Sequence, residues 1–325
     1  MATEAADTLR IGSAPPHAAT GGAMAVARRR IPLAHRLRAG NAGPVLVVVL
    51  VIVALWYVAA VLANWQGVSD AFERAGEQRS RVEIMAGTLA QERPVLPAPH
   101  QFLVELKKTV IDTPATSRRS LVNHAWVTLS STLVGFAMGA ALGIVLAVLI
   151  VHVRTLERSL MPWIISSQTI PILAVAPIVI VVLGSIGITG LFPKAIISAY
   201  LCFFPVTIGM VKGLSSPDVM QRDLMRTYSA SEGQVLWKLR LPASLPFLFA
   251  SLKVAVAISL VGAIVAELPT GAQAGLGARL LAGSYYGQTI QIWAALFAAA
   301  IVASALVALV GVAERAINRR MGGRA

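Results

Sequence analysis

Long apolar stretches alternate with polar segments along most of the chain. The first, Val45 to Ala63, reads VLVVVLVIVALWYVAAVLA and carries no charge. Five more follow: roughly Ala125 to Val151, Leu160 to Leu183, Ala195 to Val211, Leu245 to Ala266 and Ile290 to Val312. Each approaches or exceeds the ~20 residues that a helix needs to cross a bilayer. Backbone polar groups in hydrocarbon must be satisfied within the segment, so such runs read as helices. The pattern predicts an all-α membrane protein with six transmembrane helices. The first run follows Arg28, Arg29, Arg30, Arg36 and Arg38, as a signal peptide would. It is longer than the usual 7–15 residues of a signal core, which favours a retained helix.

The polar segments differ in kind. Residues 1–43 are rich in Ala, Gly, Pro and Arg without apolar period and predict a flexible basic tail. Ser69 to Glu92 mixes charges with few Gly or Pro and predicts a solvated helix. Within the loop 212–244, Pro217 and Asp218 mark a helix start. One short helical pattern covers 218–228, a break follows over Ser229 to Gly233, and a second pattern runs from Gln234 to Leu239 until Pro242. Two short helices joined by a tight turn make a knob suited to a groove on a partner protein.

Composition excludes several classes. Of 325 residues, 56% are apolar and 13% charged, against about 25% charged in soluble domains. Cys202 is the single cysteine, so no internal disulfide or cysteine-cluster metal site exists. The net charge of +13 raises nucleic-acid binding. Its distribution removes that reading, because the basic residues are spread over several loops and no groove-reading motif accompanies them. The five histidines are scattered, which predicts no metal site. No GxxxxGK[ST], GxSxG or HExxH occurs, so no ATP site, nucleophile elbow or zincin helix is expected in this chain.

Inside the apolar runs, polar features are few. Gly135, Gly139 and Gly143 share one helix face and predict close helix packing. Pro171 and Pro177 predict kinks in the third helix. Ser166, Ser167, Gln168 and Thr169 stand just before Ile170-Pro171. Polar groups beside a helix break suit a pore lining or an interhelical hydrogen bond. Ser167, Gln168, Thr169 and Pro171 are therefore the candidate solute pathway. Lys253, two turns into the fifth helix, can snorkel to the interface, and Glu267 falls at that helix's outer end, where hydration is easy. No proton relay is evident, which disfavours ion-driven transport.

The 212–244 loop resembles the EAA loop of binding-protein-dependent ABC transporter permeases, of pattern E-A-A-x3-G-x9-I-x-L-P. Asp223 stands at the Glu position, Leu224 and Met225 at the two Ala, Ser229 at the Gly and Leu239 at the Ile, while Leu241 and Pro242 match. Leu96-Pro97-Ala98-Pro99, Ile170-Pro171, Ala176-Pro177, Gly184-Ile186-Gly187, Phe203-Phe204-Pro205 and Ala266-Glu267 extend the likeness to the nitrate/sulfonate/taurine branch over roughly 95–315. The resemblance implies a type I ABC importer permease fold. It implies an ATPase-coupling site at Asp223, Ser229, Ala230, Ser231, Glu232, Gly233, Leu241 and Pro242. It implies a second permease subunit, two ATP-binding subunits that hold ATP and Mg, and a periplasmic substrate-binding protein. The chain itself would bind no cofactor. The solute would be nitrate, a sulfonate such as taurine, or a heterocyclic precursor. A secondary transporter or channel without an ATPase is the competing reading, and the spaced loop distinguishes them, since a carrier has no use for it.

The expected organisation is a cytoplasmic tail at 1–43, a first transmembrane helix at 44–64, a periplasmic segment at 65–123, a permease domain at 124–315 with coupling loop 212–244, and a cytoplasmic tail at 316–325. This orientation in a bacterial inner membrane follows from charge. With the N-terminus inside, inner segments hold seventeen Lys and Arg against seven acids, and outer segments ten against eight. Cysteines introduced singly at Ser215 and Gln91 should differ in labelling by a membrane-impermeant reagent in whole cells, with only the Gln91 position reacting. Equal labelling contradicts this topology.

Overall fold

A computed structural model describes residues 42–77, 79–269 and 274–321. The basic tail expected at 1–43 lies outside the described residues up to position 41, and the last residues of the expected C-terminal tail, 322–325, do as well. The helices are α1 (Ala42–Arg74), α2 (Arg81–Ala90), α3 (Pro99–Lys107), α4 (Leu121–His152), α5 (Arg154–Ser167), α6 (Ile172–Ser185), α7 (Leu191–Leu214), α8 (Val219–Thr227), α9 (Glu232–Val235), α10 (Leu241–Glu267), α11 (Leu276–Tyr285) and α12 (Thr289–Arg320). Single π-helical turns follow α3 at Lys108–Asp112 and α9 at Leu236–Arg240. Among the described residues there is no strand.

The chain divides into two compact units, residues 1–52 and 53–325. The described part of the first is the opening of α1, whose Val45 to Ile52 side chains are all exposed, as a lipid-facing segment requires. The rest of α1 belongs to the second unit. It runs ten residues past the expected end at 64, and it is anchored there by Asn64. The Asn64 amide donates to the carbonyls of Ala60 and Leu96, each at 2.8 Å, and its oxygen accepts the Val95 N–H at 2.7 Å. Trp56 adds a donated bond to the Pro97 carbonyl at 3.1 Å and packs at a tilt against Trp293. The Ser69 to Glu92 stretch forms two helices rather than one, because Gly76 turns the chain at φ 70°.

Among the described residues, five helices are long and apolar enough to span a bilayer: α1, α4, α7, α12 and the continuous helical stretch 232–267. The sixth expected crossing is a pair. α5 and α6 meet at 98°, so the third run is broken rather than kinked. Pro171 explains the break. It supplies no N–H, it disfavours helical backbone at Ile170, and it stands in extended conformation (φ −67°, ψ 116°) as the cap of α6. Pro162 and Pro177 lie inside α5 and α6 without ending them.

The centre of the second unit is α4 against α7 and α10. The buried face of α4 is small and polar: Thr128, Ser131, Thr132, Gly135, Gly139, Gly143 and Ala147. A methyl group on Gly135 would stand 2.5 Å from Ser198 Cβ, and on Gly139 2.7 Å from the Ala199 carbonyl. One on Gly143 would stand 2.8 Å from the Phe203 carbonyl, so only glycine permits this approach. Hydroxyls lock the three helices. Ser198 Oγ donates to the Ser259 carbonyl at 2.6 Å, and Ser259 Oγ donates to the Thr132 carbonyl at 3.0 Å.

At the opposite end of α10 from the loop, Glu267 is fully buried, contrary to the hydrated position expected for it. Thr128 Oγ1 lies 2.9 and 3.0 Å from its two oxygens, the Gly277 N–H donates at 2.8 Å, and Lys194 Nζ sits 3.7 Å away. His124 completes the arrangement. Its Nε2 lies 2.9 Å from the Arg118 carbonyl and must donate there, which leaves Nδ1 to accept the Gly275 N–H at 3.0 Å. Lys253 does not simply reach for the interface; it forms an ion pair with Glu314 of α12.

Lys194→Met would remove the cation that sits 3.7 Å from the buried Glu267 carboxylate, at a cost of about 3–5 kcal/mol. The double variant Lys194→Met/Glu267→Gln should recover much of that loss. Thermal melting of the detergent-solubilised chain measures both, and additive losses would contradict coupling of the pair.

Candidate functional site

The loop between α7 and α10 is assembled by local capping signals. Asp218 takes an extended conformation (φ −62°, ψ 157°) and its N–H donates to Gln221 Oε1 at 3.2 Å, which starts α8. α8 ends in a Schellman motif. The Ala230 N–H reaches back to the Met225 carbonyl at 3.0 Å, and the Ser229 N–H to the Arg226 carbonyl at 2.8 Å. This motif needs a left-handed residue, and Ser229 supplies it at φ 53°. It is the single non-glycine residue with positive φ among the described residues. Gly76, Gly187 and Gly287 fill the same place after α1, α6 and α11. Ser231 then caps α9, with its N–H on Gln234 Oε1 at 3.0 Å and its hydroxyl accepting the Gln234 N–H at 3.4 Å.

Attachment and exposure are divided along this knob. Val235 is buried, and Leu236 and Leu241 pack on Ala147, Met210 and Leu214 at the ends of α4 and α7. Met220, Leu224 and Tyr228, spaced by four on one face of α8, are 82%, 57% and 78% exposed, and Trp237 is 72% exposed. Leu224 and Trp237 thus lack the intrachain neighbours that their apolar character demands. The periodic stripe Met220–Leu224–Tyr228 escaped the sequence reading, although its i, i+4, i+8 spacing was a usable signal.

Each candidate residue of the loop has a definite place. Asp223 pairs with Arg226 at 3.2 Å on the exposed side of α8, a surface pair worth little in stability. Ser229, Ser231, Glu232, Gly233 and Pro242 are exposed, and Ala230 and Leu241 are half-buried. Ser229 to Gly233 are contiguous at the knob's turn, whereas Leu241 and Pro242 belong to the first turn of α10.

The second candidate region is the break between α5 and α6. Ser167 Oγ donates to the Ile164 carbonyl at 2.7 Å, and Thr169 Oγ1 to the Ser166 carbonyl at 2.8 Å. Both hydroxyls therefore serve the frayed end of α5. Tyr200 of α7 donates its phenol to the Ser167 carbonyl at 2.6 Å and holds the break in place. Gln168, Thr169 and Pro171 are exposed, and Ser167 is half-buried. No group of three or more His, Cys, Asp or Glu that could hold a metal ion occurs among the described residues.

The family model described as "Binding-protein-dependent transport system inner membrane component" matches residues 139–323. The chain belongs to this family. The matched span takes in the α5–α6 break, the capped knob and, of the Glu267 cluster, Lys194, Glu267 and Gly277, while Thr128, His124 and α1 to α3 precede it. The formylaminopyrimidine transport permease protein ThiX of Halalkalibacterium halodurans is 32% identical over 195 residues, covering 60% of this chain and 73% of the relative. The riboflavin transport system permease protein RibX of Chloroflexus aurantiacus is 32% identical over 205 residues, 63% and 75% of the two chains. The putative aliphatic sulfonates transport permease protein SsuC of Bacillus subtilis is 26% identical over 233 residues, 72% and 80%. The protein is thus an ABC transporter permease of the sulfonate/nitrate branch, with an all-α type I permease fold.

Within this permease, Ser229 holds a conformation that costs an L-residue roughly 1–2 kcal/mol. Ser229→Gly should stabilise the knob by about 0.5–1 kcal/mol, after allowing for the greater freedom of glycine in the unfolded chain. Hydrogen exchange of amides 224–235 should slow accordingly, and Ser229→Val should speed it. Unchanged exchange in both would show that Ser229 is unstrained.

Proposed function

We propose that this permease forms the membrane pathway of an ATP-driven importer for a small solute, in a bacterial inner membrane with both termini in the cytoplasm. The observation that carries this reading is the knob. It is capped at both helices and seated on the bundle through Val235, Leu236 and Leu241, yet it leaves Met220, Leu224, Tyr228 and Trp237 uncovered. An apolar stripe of this kind on an aqueous loop suits burial in a partner's groove. That partner is an ATP-binding subunit, which would hold ATP and Mg2+; two such subunits and a second permease subunit, a further copy of this chain, complete the transporter. A periplasmic binding protein delivers the solute at the other face.

Force enters through the knob and reaches the helices through its apolar seat. The Ser167–Pro171 break lines the passage in this scheme, with Gln168 facing the solute. The names of the relatives mention a formylaminopyrimidine, riboflavin and aliphatic sulfonates, and nitrate appears in another, so the solute belongs to the heterocyclic precursors, the sulfonates or nitrate. The bonds that Glu267 receives from Thr128, Gly277 and Lys194 suit a brace between helices more than an ion carrier's relay.

Ala230→Trp places a bulky ring beside the exposed turn. The folded permease should survive, while co-purification with the ATP-binding subunit falls and substrate-stimulated ATP hydrolysis in proteoliposomes drops at least tenfold. If both persist unchanged, the knob is not the coupling contact.

A further inference from the structure

A pocket of about 170 Å³ lies beneath the knob. Its polar lining is Glu157 of α5, Ser215 after α7, Arg222 of α8 and Arg240 at the end of the π-helical turn, set against an apolar wall from α4 and α7. The Nε atoms of Arg222 and Arg240 are both shielded from solvent, and neither meets a hydrogen-bond acceptor among the described residues. Glu157 shares the lining but forms no ion pair among the described residues. Two cations and one carboxylate leave a net positive charge facing the pocket. Buried donors, and charged ones above all, are rarely left without acceptors.

We infer that this pocket binds one oxyanion of the phosphate or sulfate type between Arg222 and Arg240. The planar guanidinium presents paired N–H donors that match oxyanion geometry, and Ser215 offers a hydroxyl on the same wall. The volume admits one small oxyanion and excludes a nucleotide or an organic cofactor. The two arginines come from opposite sides of the Ser229 turn, one on α8 and one just before α10. An anion held by both therefore ties the outer helix of the knob to its seat. The oxyanion can be free in solution or the phosphodiester of a lipid headgroup, since the chemistry is the same. The inference is independent of which protein docks on the knob's outer face.

The test uses the purified full chain in dodecyl maltoside micelles, which carry no phosphate group. Sodium phosphate and sodium sulfate are titrated at constant ionic strength, with calorimetry and thermal melting as readouts. One saturable site per chain and a rise in Tm are expected. Arg222→Gln/Arg240→Gln should weaken binding by about tenfold or more, from the loss of two charge-assisted contacts. Arg222→Lys/Arg240→Lys, which keeps charge without the planar fork, should fall between. Ser215→Asp places a carboxylate in the pocket and should abolish the response while the protein still melts cooperatively. It decides the matter if the glutamine pair fails to fold. Micelles supplemented with phosphatidylglycerol separate the sources: suppression of the phosphate titration identifies the lipid headgroup, and an unchanged titration identifies the free anion. The site is overturned if neither phosphate, sulfate nor phosphatidylglycerol produces a response that the arginine variants remove. It is equally overturned if Ser215→Asp leaves phosphate affinity unchanged.

Discussion

Helices in a bilayer cannot rely on the hydrophobic effect to hold one another, because the lipid tails are as apolar as their side chains. What binds this bundle is therefore close backbone approach and buried polar contact, and Glu267 is where the two converge. Its carboxylate, at the end of α10, gathers Thr128 of α4, Lys194 of α7 and the Gly277 N–H of α11. Gly275 and Gly277 approach so closely that a side chain on either would run into Glu267 itself. Four helices thus share one charged centre, and the direction of each is set there. The Ser198–Ser259–Thr132 hydroxyl chain repeats the device a few turns away.

The other end of the bundle is organised on the opposite principle. There α7 and α10 are joined by a loop whose backbone groups are satisfied locally, by the Asp218 and Ser231 capping boxes and the Schellman motif at Ser229. A helix of nine residues such as α8 would not persist in water unaided, and α9 holds its four residues as the start of the continuous stretch 232–267. Caps at both ends of α8, the Ser231 cap of α9 and the apolar seat on Leu214 and Met210 supply what length does not. The result is a projection that is held in shape at its base while its outer face stays uncovered.

Between these ends, the α5–α6 break separates the two roles that proline plays here. Pro162 and Pro177 each delete a donor within a helix, and the neighbouring backbone absorbs it. Before Pro171, the hydroxyls of Ser167 and Thr169 close the frayed end of α5, and Tyr200 caps the Ser167 carbonyl from α7. A proline becomes a break where side chains can satisfy what it exposes. That distinction depends on the local hydrogen bonds, and position in the sequence alone does not reveal it.

The sequence by itself determined the apolar runs, the helix start at Asp218, the glycine face of α4 and the spacing of the knob. These follow from rules that act over a few residues: the thickness of the bilayer, the reach of a capping side chain and the 3.6-residue period. Tertiary structure alone decided the surroundings of Glu267, since Thr128 lies 139 residues away and reaches it only when α4 and α10 pack. It likewise decided the pairing of Lys253 with Glu314 and the hold that Tyr200 of α7 has on the break before Pro171. A charge at a helix end reads as hydrated until a neighbouring helix covers it. There the deciding energy is carried by contacts between segments, which no local pattern encodes.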